Sequence, residues 1–128
     1  MQLTPVDPPR VFDVGCLVKI QLKDCGRVAL EADEQVTFVT ETGGEFDVVR
    51  KSWGFYATPS LNQRLPRFGL RAVLVKSPDG KYYVWLVERG KEPDFQRYLE
   101  AERQAVVSWL DTDQALERLA KQMERAPA

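Results

Sequence analysis

Apolar and polar residues alternate through the first third of the chain, in the period-2 pattern of strands buried on one face. The alternation is strict over residues 18–23, resumes over residues 27–31 and returns over residues 35–41. Asp24-Cys25-Gly26 separates the first two runs and is predicted to turn the chain. The pattern therefore predicts three consecutive strands.

The Gly43-Gly44 pair predicts a hairpin whose register depends on loop length. A two-residue loop would pair Phe38 with Val49. A three-residue loop keeps one side of the hairpin apolar, and since a one-residue slip turns every side chain over, we favour it. The residues that would then share a face are Val36, Phe38, Thr40, Phe46 and Val48.

A second hairpin is predicted from residues 70–76 and 81–88, joined by Ser77-Pro78-Asp79-Gly80. Proline at the second turn position and glycine at the fourth suit a type I turn followed by a bulge. Both faces of this hairpin are largely apolar, which is typical of central strands covered on both sides.

The last third of the chain has helical periodicity. A helix is predicted to start at Pro93, and Asp111 with Gln114 forms a capping box for a final amphipathic helix. Residues 105–110 could continue the first helix or form a short strand, and their β-branched and aromatic character favours the strand. The element order predicts an α+β fold with a mainly antiparallel sheet, or a partly open barrel, with C-terminal helices packed on it.

Residues 1–10 contain three prolines and are predicted to form an extended or loose N-terminal arm. Residues 11–128 contain no linker and no repeat, and a chain of this length can bury an independent core. We therefore predict a single α+β domain over residues 11–128.

The composition excludes several classes of catalytic and metal site. The 128 residues include no histidine, which removes the usual imidazole base, Ser/His and Cys/His nucleophile pairs and most catalytic zinc sites. Two cysteines cannot form a tetrahedral thiolate site, and a strand between them predicts no Cys16–Cys25 disulfide and a small buried Cys16. We expect no metal and no cofactor.

No apolar run reaches the length of a membrane span, and the first ten residues lack the apolar stretch of a signal peptide. We therefore expect a cytoplasmic protein with no membrane partner.

The net charge of −1 conceals a segregation of charge along the chain. Residues 1–47 carry four basic and nine acidic side chains, whereas residues 48–87 carry seven basic and one acidic side chain. The remaining residues carry seven basic and nine acidic side chains. The basic middle third predicts a local anion-binding face on a chain that is acidic as a whole.

The segment between the hairpins, residues 50–69, contains four of these basic residues and four aromatic rings, and it lacks acidic residues. Ser60 with Gln63 fits a capping box, and a short helix there would place hydroxyls and backbone N–H groups near arginines, the components of a phosphate or carboxylate site. The alternative is that Thr58 and Ser60 only cap a connector. The candidate binding residues are Arg50, Lys51, Trp53, Tyr56, Thr58, Ser60, Asn62, Arg64 and Arg67.

The rings of Trp53, Phe55 and Tyr56 are expected to be core residues more often than stacking platforms in a domain of this size. Stacking on a sugar or base is the alternative. The aromatic motif of RNA-recognition sheets, paired C-x-x-C ligands and a phosphate-cradling glycine loop are all missing from the sequence, so we do not expect a nucleic-acid partner.

These observations favour a small binding or accessory domain that recognises a sugar phosphate, a nucleotide or an acidic partner segment through the central segment. One alternative is a histidine-free, metal-independent enzyme acting on a sugar or nucleotide, with Glu45, Asp47, Lys51, Tyr56 or Asp111 as acid or base. Another is a protein-interaction or dimerisation module that uses the aromatic residues of this central segment.

Three segments, Trp53-Gly54-Phe55-Tyr56-Ala57-Thr58-Pro59-Ser60-Leu61-Asn62, Lys81-Tyr82-Tyr83-Val84 and Trp109-Leu110-Asp111, carry a resemblance. With them, residues 35–111 resemble a small uncharacterised bacterial protein family. The resemblance implies no activity, cofactor or catalytic residue.

Overall fold

The computed structural model describes residues 1–15 and 19–125. Strands fill most of the first two thirds of the chain, and the two longer helices lie in the last third. The elements are β1 (Gln2–Val14), β2 (Ile20–Ala29), β3 (Gln35–Val39), β4 (Glu45–Lys51), β5 (Gly54–Ala57), α1 (Arg64–Arg67), β6 (Leu70–Lys76), β7 (Tyr82–Glu88), α2 (Glu92–Glu102), β8 (Ala105–Trp109) and α3 (Asp113–Arg125). The fold class is α+β with antiparallel sheets, as predicted, and the described strands do not close into a barrel.

The chain forms two compact units. The first unit consists of Met1–Thr37 and Asp47–Thr58, and the second unit consists of Phe38–Phe46 and Pro59–Ala128. The assignment of residues 11–128 to one domain stays a prediction.

β1 and β2 form a two-stranded antiparallel ribbon in the first unit. Residues 2–10 lie within β1; residues 2–5 and Arg10 pair with β2, and the register shifts between Pro5 and Arg10, where prolines withhold ladder donors. The turn predicted at Asp24-Cys25-Gly26 is wrong, because these residues continue β2. Gly26 is needed there for a close approach: a Cβ at this position would lie 3.0 Å from the carbonyl oxygen of Thr4.

The two cysteine predictions fall partly outside the described residues. Cys16 belongs to residues 16–18, so the predicted burial of Cys16 and the predicted lack of a Cys16–Cys25 bridge both lie outside them. Cys25 is an exposed free thiol.

β3, β4 and β5 form a three-stranded sheet with β4 in the centre. The Thr40 N–H donates to the Gly44 carbonyl oxygen at 2.9 Å, which closes a three-residue loop and confirms the predicted register. At the other end of the hairpin, the Arg50 N–H donates to the Glu34 carbonyl oxygen at 3.0 Å in the same register.

The sheet of the second unit has the order β7-β6-β8. β6 is buried on both faces. Val73 and Val75 pack with Val87 and Leu99 on one face, while Leu70 and Ala72 pack with Leu65 on the other. The prediction of a central, doubly covered strand therefore holds for β6. It is wrong for β7, which is an edge strand and exposes Tyr82, Tyr83 and Val84.

The turn between β6 and β7 has the predicted form: the Ser77 N–H donates to the Lys81 carbonyl oxygen at 2.8 Å, and Gly80 has a φ of +85°. β8 is the strand that its composition favoured. The predicted capping box at Asp111 and Gln114 is wrong. The Thr112 hydroxyl accepts the Ala115 N–H at 3.1 Å and caps the start of α3 instead. The Asp111 carboxylate instead accepts the Arg71 Nε–H at 2.6 Å.

Candidate functional site

The nine candidate binding residues divide between the two units. Five belong to the first unit, namely Arg50, Lys51, Trp53, Tyr56 and Thr58. Four belong to the second unit, namely Ser60, Asn62, Arg64 and Arg67.

The two candidate cations of the first unit, Arg50 and Lys51, are engaged by groups of that unit. Arg50 Nη1 donates to the Gly54 carbonyl oxygen at 3.0 Å, and its guanidinium lies 5.2 Å from the centre of the Phe55 ring. Lys51 Nζ donates to Asp33 Oδ1 at 2.5 Å, and this hydrogen bond raises the pKa of Lys51. An added anion would have to compete with these contacts.

Thr58 belongs to a hydrogen-bond network around a buried carboxylate. Its hydroxyl donates to Asp47 Oδ2 at 3.3 Å, and the Thr37 hydroxyl donates to Asp47 Oδ1 at 2.5 Å. The Thr58 N–H also donates to the Asp47 carbonyl oxygen at 3.0 Å. Asp47, an acid–base candidate, is 5% exposed and joins β3 and β4 to the end of β5.

The rings of Trp53, Phe55 and Tyr56 are exposed, so their expected place in the core is wrong. Trp53 is 70% exposed, Phe55 61% and Tyr56 44%. The Trp53 and Tyr56 rings are inclined by 17° with centroids 6.3 Å apart, which is an offset, nearly parallel pair. We call Trp53, Phe55 and Tyr56 the aromatic strip.

In the second unit, Ser60 and Asn62 are used for local structure. The Ser60 hydroxyl accepts the Arg64 N–H at 2.9 Å, and the Asn62 side chain donates to Asp113 Oδ1 at 2.6 Å. α1 has only four residues, and Gln63 makes no side-chain cap. The structure therefore favours the connector-cap interpretation of Ser60.

Arg67 lines a cavity of about 290 Å³ that the sequence did not predict. We call it the arginine cleft. Arg67 and Arg89 are both exposed, and within the described chain neither side chain makes a hydrogen bond or an ion pair. The arginine cleft is lined by Thr42, Gly43, Gly44, Arg67, Phe68, Gly69 and Arg89.

The shape of the arginine cleft depends on its glycines. A Cβ at Gly44 would lie 2.7 Å from the Thr40 hydroxyl oxygen, and a Cβ at Gly69 would lie 3.9 Å from the Gly44 Cα. Gly69 also has a φ of +86°, in the region that favours glycine. The Arg89 N–H donates to the Gly69 carbonyl oxygen at 2.9 Å, which fixes the two arginine-bearing segments to each other.

One carboxylate borders the arginine cleft. The Thr42 hydroxyl donates to Glu88 Oε1 at 3.1 Å, and Lys91 Nζ lies 3.2 Å from Glu88 Oε2. Hydrogen bonds from Thr40, Lys91 and Thr42 hold the pKa of Glu88 below its usual value. Glu88 therefore stays ionised near neutral pH while bonded to groups other than the two arginines.

Sequence reasoning identified Arg67 but missed Arg89, Thr42 and the glycines of the cleft. A signal existed in the predicted hairpin: pairing of Leu70 with Glu88 places Gly69 opposite Arg89. The β3–β4 loop gave no such signal, because its approach to α1 joins residues distant in the sequence.

Within residues 1–15 and 19–125, no three His, Cys, Asp or Glu side chains are close enough together to hold a metal ion. No helix in the same ranges is both long enough and apolar enough to cross a bilayer.

No protein-family model, curated protein or solved structure matches the chain. The resemblance of residues 35–111 to a small bacterial family stays a prediction.

Proposed function

We propose that this protein is a small binding module that recognises an anionic ligand in the arginine cleft. The observation that carries the proposal is the presence of two arginines, Arg67 and Arg89, on one glycine-lined cavity, where neither has an anionic partner among residues 1–15 and 19–125. Guanidinium groups donate several hydrogen bonds in a plane, which suits a phosphate or carboxylate.

The size of the arginine cleft favours a small ligand. A cavity of about 290 Å³ lies at the lower end of the range for small-molecule sites. A phosphate monoester, such as a sugar phosphate or a mononucleotide, is compatible with that volume, and an oligonucleotide is not.

The exposed free thiol of Cys25 suits a reducing compartment, so we place this binding in the cytoplasm.

Thermal-shift measurements with inorganic phosphate and sulfate, at low and high ionic strength, test the proposal. Binding to the folded state stabilises it by RT ln(1 + [L]/Kd), so the melting temperature rises with the ligand concentration, and screening of partly exposed charges lowers the affinity at high salt. We expect the anions to raise the melting temperature at low salt. Arg67→Gln or Arg89→Gln should lower the apparent affinity for the anion at least tenfold.

Arg27→Gln is the matched control, because Arg27 is an exposed arginine of the first unit, outside the cleft. It should leave phosphate binding unchanged. Equal loss of binding in all three variants, or no stabilisation by either anion, would contradict an anion site at the arginine cleft.

The exposed aromatic strip favours a second function, self-association or protein binding through the first unit. The stacked rings of Trp53 and Tyr56 and the exposed ring of Phe55, all on one short hairpin, leave apolar surface of the kind found at protein interfaces. Sedimentation equilibrium over a hundredfold range of protein concentration tests self-association. We expect a dimer that Trp53→Ser converts to a monomer, whereas a monomer at every concentration would count against self-association.

A further inference from the structure

A second cavity of about 290 Å³ adjoins the arginine cleft within the second unit, and it has the opposite character. We call it the apolar cavity. Its apolar lining consists of Phe38, Val39, Phe46, Leu70 and Leu86. Phe38 is 58% exposed and Val39 is 69% exposed, so this lining is open to a ligand.

The two cavities share neighbouring residues along three segments. Gly69 lines the arginine cleft, and the next residue, Leu70, lines the apolar cavity. Likewise, Arg89 lines the arginine cleft, and the preceding residue, Glu88, lines the apolar cavity. In the β3–β4 loop, Gly44 faces the arginine cleft, and a Cβ on it would lie 3.4 Å from the Leu70 side chain. The cavities therefore lie side by side.

A polar boundary separates them. The Thr42 hydroxyl lies 3.3 Å from the Thr40 hydroxyl and donates to Glu88 Oε1 at 3.1 Å. Thr40 and Glu88 line the apolar cavity, whereas Thr42 lines the arginine cleft. A ligand spanning both cavities passes this boundary, where the Glu88 carboxylate repels an anionic group and directs it towards Arg67 and Arg89.

We propose that the two cavities form one bipartite site for an amphiphilic organic anion, whose acidic head binds Arg67 and Arg89 and whose aliphatic body packs against Phe38, Phe46 and Leu86. The proposal rests on the anion-binding function proposed above. A ligand with a single acidic head and a hydrocarbon body complements both halves, and it removes exposed apolar surface from water. An alkyl phosphate and an alkyl carboxylate share this chemistry.

Calorimetric titration of the full chain with methyl, butyl and octyl phosphate, each below its micelle-forming concentration, tests this inference. Acetate, butyrate and octanoate form a parallel series that identifies the preferred head group. Burial of each methylene should lower the Kd about fourfold until the apolar cavity is filled. Octanol, which has no acidic head, should bind at least tenfold more weakly than the better octyl anion.

Phe38→Ser and Val39→Asn are the test variants, and both change residues that are largely exposed. They should flatten the dependence on chain length and leave methyl phosphate affinity unchanged. Tyr82→Ser is the matched control, since Tyr82 is 58% exposed in the same unit but outside both cavities. It should retain the dependence on chain length.

The outcomes separate the two proposals. Binding of methyl phosphate with no gain from a longer chain would overturn the bipartite site and leave the anion-binding function intact. A gain that persists in both Phe38→Ser and Val39→Asn, or octanol binding as tight as that of the octyl anions, would also overturn the bipartite site. Failure of every anion to bind would overturn both proposals.

Discussion

The side chain of Arg71 joins three elements of the second unit. Its Nε donates to Asp111 Oδ2 at 2.6 Å, and its Nη1 donates to Glu92 Oε2 at 3.4 Å. The guanidinium also lies 4.0 Å from the centre of the Trp109 ring. The hydrogen bond with Asp111 raises the pKa of Arg71, and the arginine thereby connects β6 to the start of α2 and to the segment between β8 and α3.

Asp111→Asn should lower the free energy of unfolding by about 1–2 kcal/mol, because a mostly buried, charge-assisted hydrogen bond becomes a neutral one. The Asp111 side chain is 8% exposed and that of Arg71 is 24% exposed, so solvent screens the pair only partly. Urea denaturation measures the change. Asp94→Asn, which removes one charge of an exposed pair with Arg97 in the first turn of α2, should cost clearly less than Asp111→Asn, and an equal loss in both variants would contradict the assignment.

Glu92 should make stability sensitive to acid. Hydrogen bonds from its own N–H and from Gly90, together with Arg71, hold its pKa below the usual 4.5. Between that lowered pKa and 4.5 the unfolded chain binds more protons than the folded chain, so stability is complete above the unfolded pKa and falls as the pH decreases. Melting temperatures measured from about pH 6 to pH 3 should decrease less steeply for Glu92→Gln than for the wild type. An identical slope would contradict this contribution.

At the scale of elements, the start of α3 shows that a distant residue can bind a side chain that the local sequence predicts to cap a helix. Asp111 and Gln114 have the spacing of a capping box, but Arg71, forty residues earlier, binds the Asp111 carboxylate. Thr112 caps the helix instead. The β1–β2 ribbon is a second example, since the pairing of β2 with β1 keeps Asp24-Cys25-Gly26 extended despite its turn composition.

Thr112→Ala should destabilise the protein by about 1 kcal/mol through loss of the hydroxyl that accepts the Ala115 N–H. For a chain of this length, that corresponds to a decrease of about 3–5 °C in melting temperature. Gln114→Ala separates the two capping schemes, because it should have no effect when Thr112 is the cap. A larger loss for Gln114→Ala than for Thr112→Ala would restore the predicted capping box.

At the scale of the whole molecule, the two units differ in how their strands are covered. β6 lies between two strands and buries Ala72, Val73 and Val75 completely. The β1–β2 ribbon is two-stranded and exposes apolar side chains such as Leu3 and Leu22. Isolated two-stranded pairings are marginally stable, so the ribbon should open more readily than the sheet of the second unit.

Amide hydrogen exchange followed by mass spectrometry should therefore show the slowest exchange in peptides covering β6 and faster exchange in peptides covering β1 and β2. Peptides covering β7 should be intermediate, because β7 is paired along one edge only. Protection of the ribbon equal to that of β6 would show that its apolar side chains are covered in solution.

Element order, alternation, turn residues and local composition were sufficient to predict the α+β class, the three-residue β3–β4 loop, the β6–β7 hairpin and the strand character of β8, because each depends on neighbours close in the sequence. Arg67 could be chosen from charge alone. Its pairing with Arg89 across the arginine cleft, the exposure of the aromatic strip and the capture of Asp111 by Arg71 were decided by tertiary structure. These features join residues that are far apart in the chain, and local periodicity carries no information about such contacts.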